Sequence, residues 1–170
     1  IPIKSVHIQV GVAPGDEVIE TRWLQKTHEK PEALVAFADL SSEQVSTTLE
    51  SLRAYSRLRG VRQILGRHEL EDVKHNSDAL IDNPCFFHGL QALEKSNLSF
   101  DLQLIPTQHN RVAALMERLP DLKVAVCHAG SPWDQSSEGL ASWRKGLTKL
   151  AERDNTFAKI SGLGMFKPNL

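Results

Sequence analysis

Two side chains of this 170-residue sequence have surroundings that point to chemistry, His128 and Arg62. His128 closes the apolar run Val124-Ala125-Val126-Cys127 and precedes the small-residue stretch Ala129-Gly130-Ser131-Pro132. An imidazole at the mouth of a buried strand can move protons near neutral pH or bind a metal ion. The competing role is a hydrogen-bonded core histidine, and the loop of small residues tips the balance towards function. Arg62 lies inside Gly60-Val61-Arg62-Gln63-Ile64-Leu65. A guanidinium among apolar neighbours is costly to bury without an anionic partner. Either a structural carboxylate meets it or a substrate carboxylate does, since the planar fork suits bidentate capture. On the residues alone the two are evenly matched. Arg67 and His68 follow the same run and either join Arg62 or stay in a solvated loop.

Gln9, Asp101, Gln103, Lys159 and Ser161 also interrupt apolar runs. Such polar residues more often tie a sheet together than react, but Gln9 and Ser161 are kept as candidate substrate contacts. Trp133-Asp134 either lines a mouth or covers the neighbouring helix. His7, His28, His75, His88 and His109 have no partner at metal-ligand spacing and read as structural. The sequence has no serine-hydrolase elbow, cysteine-protease signature, zinc-finger spacing or EF-hand loop.

The elements that must position these residues alternate along the whole chain. Short apolar runs fall at Ser5–Val12, Ala33–Leu40, Gly60–Leu65, Leu98–Ile105, Leu122–His128 and Thr156–Ser161. Several are apolar on both faces, as strands of a covered parallel sheet are. Between them lie amphipathic stripes: Val45, Leu49, Leu52 and Tyr55 behind a capping-box spacing at Ser41 and Gln44; Val112, Leu115, Met116 and Leu119 ending at Pro120; and Leu140, Trp143, Leu147 and Leu150. An acidic stretch after Pro14-Gly15-Asp16 opens the first helix. The segment between Leu70 and Lys95 predicts a loop and a shorter helix through Leu90 and Leu93. The sum is six strands and five helical crossovers in a single domain over residues 1–170. Strict alternation leaves an open doubly wound sheet or a barrel. Gly11-Val12-Ala13-Pro14-Gly15 carries neither G-x-G-x-x-G nor a P-loop, which weakens the open sheet.

Composition limits the partners. With 20 basic and 21 acidic residues the net charge is -1, scattered along the chain, so nothing favours nucleic acid or an anionic membrane. Apolar runs stop short of the roughly 20 residues a membrane span needs, and no signal-peptide pattern opens the chain. Cys85 and Cys127 read as buried, reduced thiols of a cytoplasmic protein.

Three segments are more than generic: Leu58-Arg59-Gly60-Val61-Arg62, Val126-Cys127-His128-Ala129-Gly130-Ser131-Pro132 and Ala158-Lys159-Ile160-Ser161-Gly162-Leu163. In this order and separation the sequence resembles the amidohydrolase-related family of TIM-barrel hydrolases, in the branch of sugar-lactone and pyrone-dicarboxylate lactonases. The middle segment is similar to its D-H-x-G-x-P motif, with Cys127 where an acid is usual, and the last to its K-L-S-G strand. The resemblance extends over essentially the whole chain. It implies an α/β barrel of which these are strands two to seven. The first strand, with its H-x-H pair, would precede Ile1, and the eighth, with its aspartate, would follow Leu170.

The resemblance carries residue roles onto His128 as the catalytic group and onto Arg62 as the binder of a substrate carboxylate. Members with a firm metal site usually have a histidine on the fifth strand, and Leu98–Ile105 has none. A metal-independent lactonase is therefore the expectation; if a divalent metal such as zinc were present, His128 would hold it. The implied reaction is attack of an activated water on a lactone carbonyl. A base takes the water's proton, and positive groups such as His128 and Arg62 steady the oxyanion or the carboxylate. The substrate would be a small carboxylated metabolite or sugar acid. The alternatives are a metal-dependent decarboxylase or amidase of the same superfamily, and a non-catalytic barrel piece that self-associates, as a homo-oligomer or with a partner supplying the missing strands. The isolated chain is expected to be inactive.

Overall fold

All six apolar runs become parallel strands. The computed structural model describes residues 4–166 except Pro14, His28 and Ser77. In chain order the elements are β1 (Val6–Ile8), α1 (Glu17–Thr27), β2 (Ala33–Phe37), α2 (Val45–Arg53), β3 (Leu58–Ile64), α3 (Glu69–His75), α4 (Asp78–Ile81) and α5 (Pro84–Lys95). They continue with β4 (Ser99–Gln103), α6 (His109–Glu117), β5 (Val124–Val126), α7 (Ser137–Leu150), β6 (Thr156–Ala158) and α8 (Leu163–Phe166). Every strand pairs in parallel with the next, in the order β1-β2-β3-β4-β5-β6. A doubly wound sheet reverses its strand order at a switch point, and no reversal occurs here. The structure therefore decides the question that periodicity leaves open: this is a stretch of barrel.

Register separates the two faces of the sheet, because cross-strand partners in a parallel sheet share a face. Val61, Phe100 and Val124 form one row and Gln63, Leu102 and Val126 the next. Both rows face the helices. There their apolar members share one core with Leu49 and Leu52 of α2, Phe86 and Leu90 of α5, and Val112 and Met116 of α6. The opposite face carries the row Phe37, Arg62, Asp101, Ala125 and Phe157. That face lacks a covering layer among the described residues at its edges: Val6 is 59% exposed and Phe157 60%.

Three local expectations need correction. The capping box at Ser41 and Gln44 does not form. Ser41 instead donates through its main-chain N and its Oγ to Asp39 Oδ1, at 2.9 and 2.6 Å, and Gln44 N donates to Ser42 Oγ, so the helix starts only at Val45. The stretch after Leu70 holds three helices rather than a loop and one short helix. Asn76 breaks it at φ 47°, and α5 starts early because the Asn83 side chain accepts from Cys85 N at 2.9 Å with Pro84 in the first turn. Cys85 is exposed, because that same turn points it away from the face that Phe86 and Leu90 bury; Cys127 is buried as expected. No helix among the described residues is long and apolar enough to cross a membrane.

Candidate active site

The polar groups of the open face gather at the C-terminal ends of β3 to β6. Arg62 stands two residues before the end of β3 and donates through Nη2 to Gln103 Oε1, at the end of β4. Its Nε is buried without a hydrogen-bond partner, and no carboxylate pairs with it among the described residues. Two other arginines show what a structural guanidinium looks like in this protein. Arg57 donates to the carbonyls of Leu24, Gln25, Glu29 and Pro31 around the end of α1. Arg153, whose Nε is also buried without a hydrogen-bond partner, donates to the carbonyls of Met116 in the last turn of α6 and of Leu119 and Leu122 beyond it. Arg62 meets one neutral amide only.

Asp101 stands in register with Arg62 and is 2% exposed. Its Oδ2 is taken by Lys159 Nζ, from just past β6. A buried carboxylate so paired is committed to that partner. Beside it, burial pushes the Cys127 thiol up, with the Asp101 charge adding to the effect, so this cysteine is a poor nucleophile.

His128 leaves the end of β5 in an unusual backbone path. Residues 128–131 all have positive φ: 51° at His128, 51° at Ala129, 72° at Gly130 and 56° at Ser131. For the three that are not glycine this costs about 1–3 kcal/mol each and persists only where the surroundings enforce it. Those surroundings are visible. Ala129 N donates to Lys159 O at 2.9 Å, and Trp143 Nε1 donates to Ala129 O at 2.8 Å. His109 Nε2 lies 3.1 Å from Gly130 O. Gly162, at φ 67°, leaves room for the imidazole, since a Cβ there would stand 2.8 Å from His128 Nδ1. His128 Nδ1 is 3.1 Å from Ser161 Oγ. Burial lowers the His128 pKa, and the charges of Arg62 and Lys159 lower it further. These effects favour the neutral ring more than in a free imidazole. A neutral imidazole donating from Nδ1 to Ser161 keeps a lone pair on Nε2 for a proton.

The remaining candidates fall elsewhere on the same rim. Gln9 and Arg67 line a cleft of about 540 Å³ at the ends of β1 to β3, together with Phe37, Asp39 and Gln63. Gln9 is buried and accepts from Gly11 N at 2.9 Å, while Gln63 accepts from Leu40 N at 2.9 Å. His68 packs edge-on against Trp133 at 5.2 Å, and Trp133 against Phe166 at 4.8 Å. Trp133 also donates to Arg67 O at 2.9 Å, so it ties its own loop to the one after β3 and to α8. His128, Ser161 and Arg62 thus come together, whereas Gln9, Arg67 and His68 form the adjoining wall. Of the histidines read as structural, His7 Nε2 lies 3.0 Å from Glu20, His88 is exposed and His109 is fully buried. His28 lies outside the described residues, as does the side chain of His75.

Lys159, Asp101 and His109 are the members of the cluster that sequence reasoning passed over. The first two were legible as strand polars, but their pairing across 58 positions was not. His109 has no local signal at all.

By themselves the described residues do not make up a divalent-cation site. Arg62 and Lys159 set positive charge beside His128, Asp101 is spent on Lys159, and no group of three or more His, Cys, Asp or Glu side chains among the described residues could hold a metal.

Parallel strands in sequential order, a helical core on one face and convergent polar groups at the strand mouths define a (β/α)-barrel protein of the kind that does its chemistry at that rim. The model of the amidohydrolase family matches residues 9–169, and the chain belongs to that family. A protein from Sinorhizobium fredii, described only as y4mH, is 33% identical over 167 residues, 96% of this chain and 56% of its own. The L-fucono-1,5-lactonase of Burkholderia ambifaria is 30% identical over 131 residues, 77% of this chain and 42% of the enzyme. Among solved structures, an amidohydrolase from Burkholderia multivorans with bound zinc is 25% identical, with a TM-score of 0.81 over 96% of this chain and 55% of the other. The chain spans about half the length of the curated relatives it matches.

Proposed function

We propose that this protein is a hydrolase of cyclic esters, a lactonase acting on a small carboxylated or sugar-acid lactone, and that residues 9–161 furnish much of its binding rim. The observation that carries this reading is Arg62: a guanidinium at a strand mouth whose recorded partner is one neutral amide, with no carboxylate of its own among the described residues. An anionic or carbonyl oxygen of the substrate meets that need. The Burkholderia ambifaria relative, a lactonase by name, supports the substrate class.

In the proposed reaction water attacks the lactone carbonyl, and neutral His128 accepts its proton at Nε2 while Ser161 orients the ring from Nδ1. The carbon–oxygen bond of the ring then breaks. His128 returns the proton to the departing oxygen, which becomes the hydroxyl of a hydroxy acid. Arg62 holds the substrate's oxygen throughout, and Gln9, Arg67 and His68 flank it along the adjoining wall. The test is proton release by the full-length gene product on a panel of sugar 1,5-lactones, with open-chain esters as control. Hydrolysis of the open esters alone, or of neither, overturns the reading. The zinc in the Burkholderia multivorans relative favours a second reading, a metal-dependent amidohydrolase with His128 as one of the ligands. Stoichiometric zinc by elemental analysis, with activity lost to a chelator, would establish it.

A further inference from the structure

The left-handed strap of residues 128–131 is held from beneath by two ring N–H groups on different helices. Trp143 of α7 serves the Ala129 carbonyl and His109, the first residue of α6, serves the Gly130 carbonyl. A carbonyl oxygen only accepts, so a proton sits on His109 Nε2, and burial, which lowers the ring's pKa to about 4, keeps it neutral near neutral pH. Its buried Nδ1 makes no hydrogen bond of good geometry, although the Trp143 main chain lies close by. Buried polar atoms are rarely left so, and an apolar side chain would fill the same space without that cost. The donor at Nε2 is therefore what this position supplies.

The ring is also clamped in place. A Cβ at Gly146 of α7 would stand 2.4 Å from His109 Nδ1, and one at Gly130 would stand 3.3 Å from Cε1. Glycine at 146 lets the helix close on the imidazole, and at Gly130 a Cβ would also come within 2.8 Å of Leu147 Cδ2. Both carbonyls turned inward by the strap, at residues 129 and 130, thus find donors that cannot move away. Without them, either peptide would gain by rotating its carbonyl towards water, and that rotation would swing His128 off Ser161.

We propose that His109 is a positioning residue for His128: its Nε2–H on the Gly130 carbonyl, with Trp143 Nε1–H on the Ala129 carbonyl, fixes the strap that aims His128 at Ser161 beside Arg62. The catalytic part of this inference rests on the lactonase reading above; the positioning itself does not.

The experiment compares His109→Gln, which keeps an N–H donor at similar reach, with His109→Leu, which does not, and adds Trp143→Phe. Two readouts are taken on the full-length gene product. One is the NMR signal of the His128 ring together with amide exchange at Ala129 and Ser131, which needs no turnover. The other is kcat and KM for lactone hydrolysis per folded molecule. His109→Leu should move the His128 signal, speed exchange at both amides and lower kcat by about 10- to 100-fold, with KM changed less than about threefold. His109→Gln should restore most of each. A His109→Leu variant that loses thermal stability but leaves the His128 signal and kcat unchanged would overturn the inference. If that variant does not fold, the same criterion applies to Trp143→Phe, which removes the second donor. A wild-type protein without lactone turnover would sink the functional reading while the NMR comparison still decides the positioning.

Discussion

Removing the Arg62 guanidinium should cost binding more than turnover, because a clamp on a substrate oxygen holds ground state and transition state alike. Arg62→Ala should raise KM by about 10-fold or more with kcat little changed, and Arg62→Lys should recover only part, since a point charge lacks the fork. A KM unmoved in the alanine variant, measured by lactone saturation curves, would return Arg62 to a purely structural role on Gln103. His109 makes a different residue-scale prediction, for stability. Burial depresses its pKa from 6.5 to about 4. Above pH 6.5 folded and unfolded chains both hold it neutral, and stability is full. As pH falls towards 4 only the unfolded chain binds the proton, so stability drains away, by about 3 kcal/mol in all. Urea midpoints measured between pH 7.5 and 4.5 should fall accordingly, and His109→Gln, which does not titrate, should flatten that slope. Sequence alone could not have found this residue. A lone histidine shows no spacing, and its acceptor lies 21 positions further on, brought near only when α6 packs beneath the next loop.

At the scale of elements the sequence was more readable. Each of the six strands was legible because its apolar, β-branched run is bounded by turn residues, and the stripes of α6 and α7 were legible by their helical period. What could not be read was the direction in which each strand residue points. Arg62 and Gln63 are neighbours, both polar, and only the register shows that Gln63 faces the helices while Arg62 faces the open side. The start of α2 was misread for a related reason, since Asp39 competes for Ser41 and only the folded loop reveals that competition. The junction of α5 with β2 offers an element-scale test. A Cβ at Gly89 would stand 2.1 Å from the Leu40 carbonyl oxygen, a main-chain atom that cannot rotate aside. Gly89→Ala should therefore force α5 off the sheet at a cost of about 1–3 kcal/mol or more, read as a lowered Tm. An unchanged Tm would mean that this helix sits further out.

For the whole molecule, the face opposite the helices matters most. Val6 and Phe157 at its margins, Val10 beyond β1 and Ile160 beyond β6 are 59%, 60%, 77% and 83% exposed, and β1 and β6 each end the sheet on one side. Strand edges beside exposed apolar groups invite pairing with another chain. The 170-residue chain, purified alone, should thus show a mass above that of a monomer by light scattering as concentration rises, and Phe157→Lys with Ile160→Lys should lower it. A monodisperse monomer at all concentrations would show that this face needs no partner.

The division of the sheet into a helix-packed face and an open face has one more consequence. Stability and chemistry alternate residue by residue along the same strand. In a saturation screen of variants, positions 61 and 63 of the third strand with 65 just past it, and 100 and 102 of the fourth with 104 just past it, should register as changes in cellular abundance. Positions 62 and 103, one step away in each case, should register as changes in activity, while Asp101, buried in its pair with Lys159, should register in both. The tolerance map of the strands would then carry a period of two, with adjacent codons under selection for different reasons.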